Sequence, residues 1–439
     1  MSDIKWALKF TSVPYAPGAT APPDDTSVVI RGGTIHLGSF GSIGNGKFAT
    51  AEATQIPFPF DGGLGLVMRR GSVGLQVTLD GASLFTGFVD ATDSPKGSGV
   101  FEFDARDVAC VLQERSVNPQ VAPNDQTIQA FITRVITEAG LPILHIAQPF
   151  NPSGTPITMG TYYGTGKGKS HFFARPEPAW GLIQRIAKDC GYVAYCISSG
   201  QFYFGPRNRG QASGGGVATR ALTWSASGNS DFLHNGLHIH HEGQRHSAFI
   251  VVVNSSNKKG STSITGTCQY INPQLAKDLS LTTAPSGVPG VGAMPVSGAS
   301  ESGMFVGLSL AELQSQASDL PVYDHFISGL QTNQANLRAL GIAREVAAQE
   351  VVLNCKVLGT QRLEVGQPLT VSGTGDPLVE GQTFVVVHSS YEFNITGEGF
   401  TQEFTAWKAD ELRVSGIEGV FTPQGDDSLQ TPAQLSSGG

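Results

Sequence analysis

The residues best suited to chemistry are five histidines, His234, His238, His240, His241 and His246, in the run DFLHNGLHIHHEGQRH, because clustered imidazoles bind zinc, copper or nickel. Their spacing works against a metal centre. On a strand over 236–241, His238 and His240 share one face and His241 takes the other, leaving two ligands with Glu242 or His246 nearby. The cluster is therefore expected to be a polar strand face at a subunit contact, without a metal. The run GTGKGKS at 164–170 ends as a phosphate-binding loop does. However, Tyr163 stands where the first glycine must turn the backbone, and Pro176 and Pro178 interrupt the helix that should follow. A flexible basic loop is expected instead. No GxSxG occurs, and Cys190 and Cys196 lie on elements that read as structural, with no base fixed beside them. The carboxylates Asp90 and Asp93, and Asp104 and Asp107, fall at strand ends and turns, where Asp serves caps and loops. Catalytic, cofactor-binding and metal-ligating residues are accordingly expected to be none.

The elements that would position these residues are mostly strands. Alternating segments at 73–79, 84–90 and 100–105, divided by Asp80-Gly81 and an SPKGSG loop, predict an antiparallel meander. With further strands at 27–31 and 33–37, a first β-barrel is expected over 1–118. A helix over 125–139 puts Ile128, Phe131, Ile132, Val135 and Ile136 on one face, with Asn124 or Asp125 as its cap. A second helix over 177–190 carries Trp180, Ile183, Ile186 and Ala187 and stops at Gly191. Strands at 192–197 and 201–204 complete an α+β connector over 119–206. A second β module is expected over 207–410. It opens with a Gly-rich linker at 205–218, has strands at 236–241 and 247–254 and a helix near 324–348, and ends with four strands at 350–358, 368–372, 383–391 and 399–406. A Pro/Gly/Ser-rich insertion interrupts it near 271–303, and 411–439 reads as a C-terminal tail.

Composition agrees with this pattern. In 439 residues there are 55 glycines and 25 prolines with only 15% charged residues, which favours turns and short strands over surface helices. The net charge of -8, with no basic run, argues against tight nucleic-acid binding, yet an acidic surface suits a conduit past which a polyanion slides. Cys110, Cys190, Cys196, Cys268 and Cys355 are odd in number and widely spaced, so they read as reduced core residues. MSDIKWALKF has no basic region followed by an apolar one, and no apolar stretch approaches about 20 residues, so synthesis and assembly in a cytoplasm are expected.

Three blocks of the sequence resemble baseplate hub proteins of contractile phage tails, the late control protein D-like family, related to the N-terminal part of type VI secretion spike proteins. In DGASLFTGFVDATDSPKGSGVFEFDARD the likeness rests on Leu84, Phe85, Gly87, Ala105, Arg106 and Asp107. In AWGLIQRIAKDCGYVAYCISSGQFYFGPR it rests on Trp180, Ile183, Ile186, Ala187, Gly191, Gly200, Phe204 and Gly205. The third block runs from Gly366-Gln367-Pro368 through Gly381-Gln382-Thr383 to His388 and the strand from Gly399. The resemblance implies a mainly β fold, with two tube-like antiparallel β-barrels joined by the α+β connector. It also implies a homotrimeric, pseudo-sixfold ring that joins the tail tube to the central spike and forms a conduit for tape-measure protein and DNA. The implied partners are a tail tube or tube-initiator protein, a separate spike protein, the tape-measure protein and other baseplate wedge proteins, in a virion and without a membrane span. The insertion near 271–303 has no counterpart in the family, and no fused spike domain is expected. The competing expectation is a tail-associated cell-wall hydrolase or carbohydrate-binding protein using Trp180, Trp224 or Trp407. Aromatics on an amphipathic stripe or a closing strand are more often core, so a structural, non-enzymatic role is expected.

Overall fold

Alternation of apolar and polar residues sets most of the chain into antiparallel strands that bury one face. The structure is a computed structural model and describes residues 6–12, 30–38, 40, 42–50, 73–93, 101–119, 122–150, 155–163, 176–211, 216–242, 248–256, 263–271, 302–306, 321–327, 332–394, 399–409, 413–416 and 419–421. The N-terminal part supplies β1 (Trp6–Ser12), β2 (Ile30–Leu37), β3 (Asn45–Thr50), β4 (Val73–Leu79), β5 (Ala82–Asp93) and β6 (Phe101–Asp107). The connector follows with α1 (Cys110–Glu114), β7 (Ser116–Val117), α2 (Ile128–Glu138), β8 (Ile143–Ile146), α3 (Met159–Tyr163), β9 (Glu177–Pro178), α4 (Ala179–Cys190), β10 (Val193–Cys196) and β11 (Phe202–Gly205). Next come β12 (Arg220–Thr223), β13 (Phe232–His241), β14 (Ala248–Ser256), β15 (Ser263–Ile271), β16 (Ser302–Val306), β17 (Val322–Phe326) and α5 (Thr332–Ala348). The chain closes with β18 (Val351–Leu358), β19 (Pro368–Ser372), β20 (Thr383–Asn394), β21 (Gly399–Lys408), β22 (Arg413–Gly416) and β23 (Gly419–Phe421).

The mainly β class with an α+β connector is what the structure has. Its N-terminal and C-terminal β modules share one curled antiparallel sheet in the order β1-β4-β5-β6-β3-β2-β20-β21-β18-β13, with β19 on β20 and β12 parallel to β19. The junction is the β2/β20 pairing, from Gly32 opposite Asn394 to Leu37 opposite Ser389. One core fills the N-terminal part of the curl around Phe48, Phe85, Phe103 and Tyr391; a second lies beneath Leu353, Phe384 and Phe404. A separate sheet, β17-β14-β15-β16-β22-β23, packs Phe249, Val251, Cys268 and Tyr270 against Ala335, Ala339 and Ala343 of α5. The connector core joins α2 and α4 to the small β10-β11-β8 sheet through Phe131, Ile132, Ile183, Ile186, Phe202 and Phe204.

Several sequence expectations shift. The expected helix near 324–348 begins at Thr332 instead, because Val322–Phe326 pairs in parallel with β14, a long-range contact that outweighs local helical propensity. The first connector helix starts at Ile128, and its cap is Thr127, whose hydroxyl accepts the Ala130 N–H at 3.2 Å, in place of Asn124 or Asp125. The second starts at Ala179, since Glu177–Pro178 pairs with β7; Gly191 ends it in the left-handed region as expected. The insertion expected at 271–303 lies outside the described residues except Ile271 and Ser302–Gly303, which belong to β15 and β16, and the GTGKGKS run also lies outside them.

Candidate assembly surface

The family-like signature residues serve the backbone. Asp107 ends β6 and is buried; its carboxylate accepts the Gly44 N–H at 2.6 Å and the Ala109 N–H at 2.8 Å, tying the β2–β3 loop to the start of α1. Burial pushes its pKa up to about 7, against the pull of those two donors. Arg106 forms a two-nitrogen ion pair with Asp90, bonds Gln113 at 2.9 Å and lies 3.3 Å from Glu114, so β5, β6 and α1 are pinned together. Gly87 is required by close approach, since a Cβ there would lie 2.0 Å from the Arg106 carbonyl oxygen.

The connector hairpin is bonded to both β modules. Ser83 and Thr86 of β5 donate to the Ser198 carbonyl at 2.9 and 3.0 Å. On the other side, the Ser198 hydroxyl and the Arg209 guanidinium bind the two oxygens of Glu364 at 2.7 and 2.8 Å, and the Tyr195 hydroxyl donates to the Val365 carbonyl at 3.0 Å. Burial raises the Tyr195 pKa, so the phenol stays a donor. The Arg207 guanidinium lies over both the Phe40 and Trp407 rings, at 5.8 and 5.4 Å, which ties the β2–β3 loop to β21. These contacts fix the curl of the shared sheet and hence the direction its two ends face. Sequence reasoning missed Arg209 and Glu364, which are separated by 155 positions and carry no local pattern.

Among the described residues the first sheet has open edges at β1, at β13 and at the short branch strand β12, and the second sheet is open at β23 and at β17, where Val322 is 45% and Phe326 70% exposed. Edge strands of this kind are templates for pairing with another chain. On β13 the backbone bulges: four residues, 233–236, lie between Phe232 and Leu237, opposite Lys356 alone on β18.

The histidines stay divided, as their spacing implies. His238 and His240 share the solvent face; His240 Nε2 meets Glu242 at 2.9 Å, while His241 Nε2 turns to Asp376 at 2.8 Å. His246 lies outside the described residues, and among the described residues no three His, Cys, Asp or Glu side chains converge on a metal position. Cys190 and Cys196 are buried, and burial raises both thiols well above their usual range, which disfavours a nucleophilic thiolate. Asp90 is held by Arg106, Asp107 by backbone, and Asp104 by Lys47 at 3.8 Å. The three tryptophans do not form a shared platform: Trp180 is in the connector core, Trp224 packs on the C-terminal core and Trp407 lies under Arg207. An open groove of about 400 Å³, lined by Gly32, Gly33, Lys47, Phe48, Ala49, Ala91, Glu102, Phe103 and Asp104, crosses the N-terminal part of the sheet. Among the described residues, no helix is long and apolar enough to cross a membrane.

No protein-family model and no curated protein matches the chain. Solved structures do. The tail protein from Neisseria meningitidis MC58 superposes with a TM-score of 0.54 at 14% identity, over 93% of this chain and 97% of that one. The 43 kDa tail protein of prophage MuSo2 from Shewanella oneidensis gives 0.50 at 12% identity, over 96% and 100%. The chain therefore shares the fold of these two tail proteins over most of its length.

Proposed function

We propose that this chain is a structural hub of a phage-type contractile tail baseplate, with no enzymatic role. Three copies close into a pseudo-sixfold ring between the tail tube above and a separate spike protein below. The observation that carries this reading is the single curled sheet shared by two β modules and open at β1 and β13. Placing the β13 end of one copy against the β1 end of the next covers these two edges and leaves only the short branch strand β12 of the first sheet open. The chain then divides into an N-terminal barrel over 1–118, a connector over 119–206 and a C-terminal barrel over 207–410.

The face turned away from the cores carries Thr34, Lys47, Ser390, Glu392, Glu403, Thr405, Asn354 and His238 in neighbouring register. In the ring this face lines the bore through which tape-measure protein and DNA pass. Hydroxyls, amides and mixed charges give a sliding polyanion little to hold, as an acidic chain requires. Wedge proteins and the tube or its initiator bind the outer rim, in a particle assembled in the host cytoplasm and carried in the virion.

Light scattering combined with negative-stain imaging tests the reading. A particle of three times the 46.1 kDa chain mass with a central hole is expected, alone or with the tube protein. A monomer under both conditions sinks it.

A further inference from the structure

The β2/β20 ladder is, among the described residues, the one strand pairing between the N-terminal meander and the C-terminal β module. On its polar face His36 and His388 stand diagonally across the seam, with ring centroids 6.4 Å apart and planes 20° from parallel. A bulge makes this meeting possible. The register of β20 on β21 shifts between Val386, opposite Ala406, and His388, opposite Thr405, so that Val387 is the extra residue. Were Val387 paired in regular register with Thr405, His388 would stand opposite Phe404 and point into the core, since a one-residue slip exchanges the faces of a strand. The bulge thus places a half-buried imidazole beside an exposed one at the joint of two modules.

We propose that the His36–His388 pair makes the β2/β20 seam a proton-sensitive joint, so that acidification loosens the N-terminal meander from the C-terminal module. Two imidazolium ions at this separation repel, and the half-buried site screens them less than water would. Burial and His36 both hold the His388 pKa below its usual value. A depressed histidine contributes stability above its unfolded pKa and loses it as pH falls through the folded one.

The surrounding charges are few and mostly engaged. Glu392 on β20 stands opposite Thr34, diagonal to His36 on the side away from His388. On β21, Glu403 pairs with Lys356 of β18 at 3.3 Å. On β3 and β6, Lys47 pairs with Asp104 and Arg106 with Asp90; buried Asp107, bonded to Gly44, gains its proton near pH 7 and so works against the loosening, while Asn45 and Thr405 beside the pair are uncharged.

Hydrogen exchange of the full chain at about pH 7.5 and about pH 5.5, corrected for intrinsic rates, tests the joint. Protection over residues 32–37 and 389–394 is expected to fall about tenfold more than that of α2 in the natural chain. In His388→Gln the fall should stay within about threefold, and in His36→Gln, which removes the like charge, it should be intermediate. Equal protection at both pH values in the natural chain overturns the proposal, as does a fall in His388→Gln as large as the natural one. Should His388→Gln not fold, His36→Gln decides: a fall as large as in the natural chain refutes the joint. The exchange is read on the chain whatever its oligomeric state, so this result is separate from the ring.

Discussion

Replacing Asp107 by asparagine separates two opposed forces on one buried carboxyl. Its two backbone donors, at 2.6 and 2.8 Å, favour the charged form, and burial favours the neutral one. Burial wins, since the pKa rises from 3.8 to about 7. A raised acid pKa means that the folded chain binds a proton the unfolded chain has lost. The stability contributed is therefore full below the unfolded value of 3.8 and lost as pH rises through about 7. At about 1.4 kcal/mol per pH unit, roughly 2.5 kcal/mol disappears between about pH 5 and about pH 7. Asparagine has no such slope, though it keeps one acceptor and turns an amide N–H against the second donor, which costs about 1–3 kcal/mol. The deficit of Asp107→Asn relative to the natural chain should thus be largest near pH 5 and shrink by about 2.5 kcal/mol toward pH 7. Hydrogen exchange at residues 42–50 and 101–112 reads the local opening, which a melt of a multi-module chain would average. A deficit that is constant or grows with pH would refute the argument, because the two amide donors would then be holding the carboxylate charged.

Gly87→Ala should lower stability by about 3 kcal/mol or more, seen as a fall in Tm, because its Cβ meets the Arg106 carbonyl at 2.0 Å, and backbone cannot swing aside. Glu364→Gln leaves the Arg209 guanidinium, 5% exposed, without its counter-charge and should cost about 2 kcal/mol in calorimetry; an unchanged transition would contradict the latch between connector and C-terminal module. His241→Ala removes a half-exposed contact with Asp376 and should cost less than about 1 kcal/mol. Elemental analysis of the purified chain should find no stoichiometric zinc, copper or nickel; metal that is present and lost in His238→Ala would reverse the assignment of the histidine run.

The strands closed by local turns were legible in the sequence. Those expected at 350–358, 368–372, 383–391 and 399–406 match β18 to β21 within three residues, because alternation and turn glycines mark both ends. What depends on distant partners was not. The pairing of β2 with β20 joins residues about 350 positions apart, and β12 lies parallel to β19 in a stretch just beyond what reads as a linker. Val322–Phe326 looks like the approach to a helix until β14 is placed beside it. The histidine run was correctly divided by strand alternation alone, but the His36–His388 meeting depends on the bulge at Val387, which no local pattern announces. Of the junction between modules, the turn at Gly200 was legible, whereas the Arg209–Glu364 ion pair was not.

An electron cryomicroscopy map of the assembled particle tests the central claim most directly. Three copies are expected, with the β13 end of each sheet beside the β1 end of the next and the face bearing Thr34, Ser390 and Thr405 turned to a central bore. A ring in which both sheet ends face solvent, or one in which that polar face lies on the outside, would contradict it.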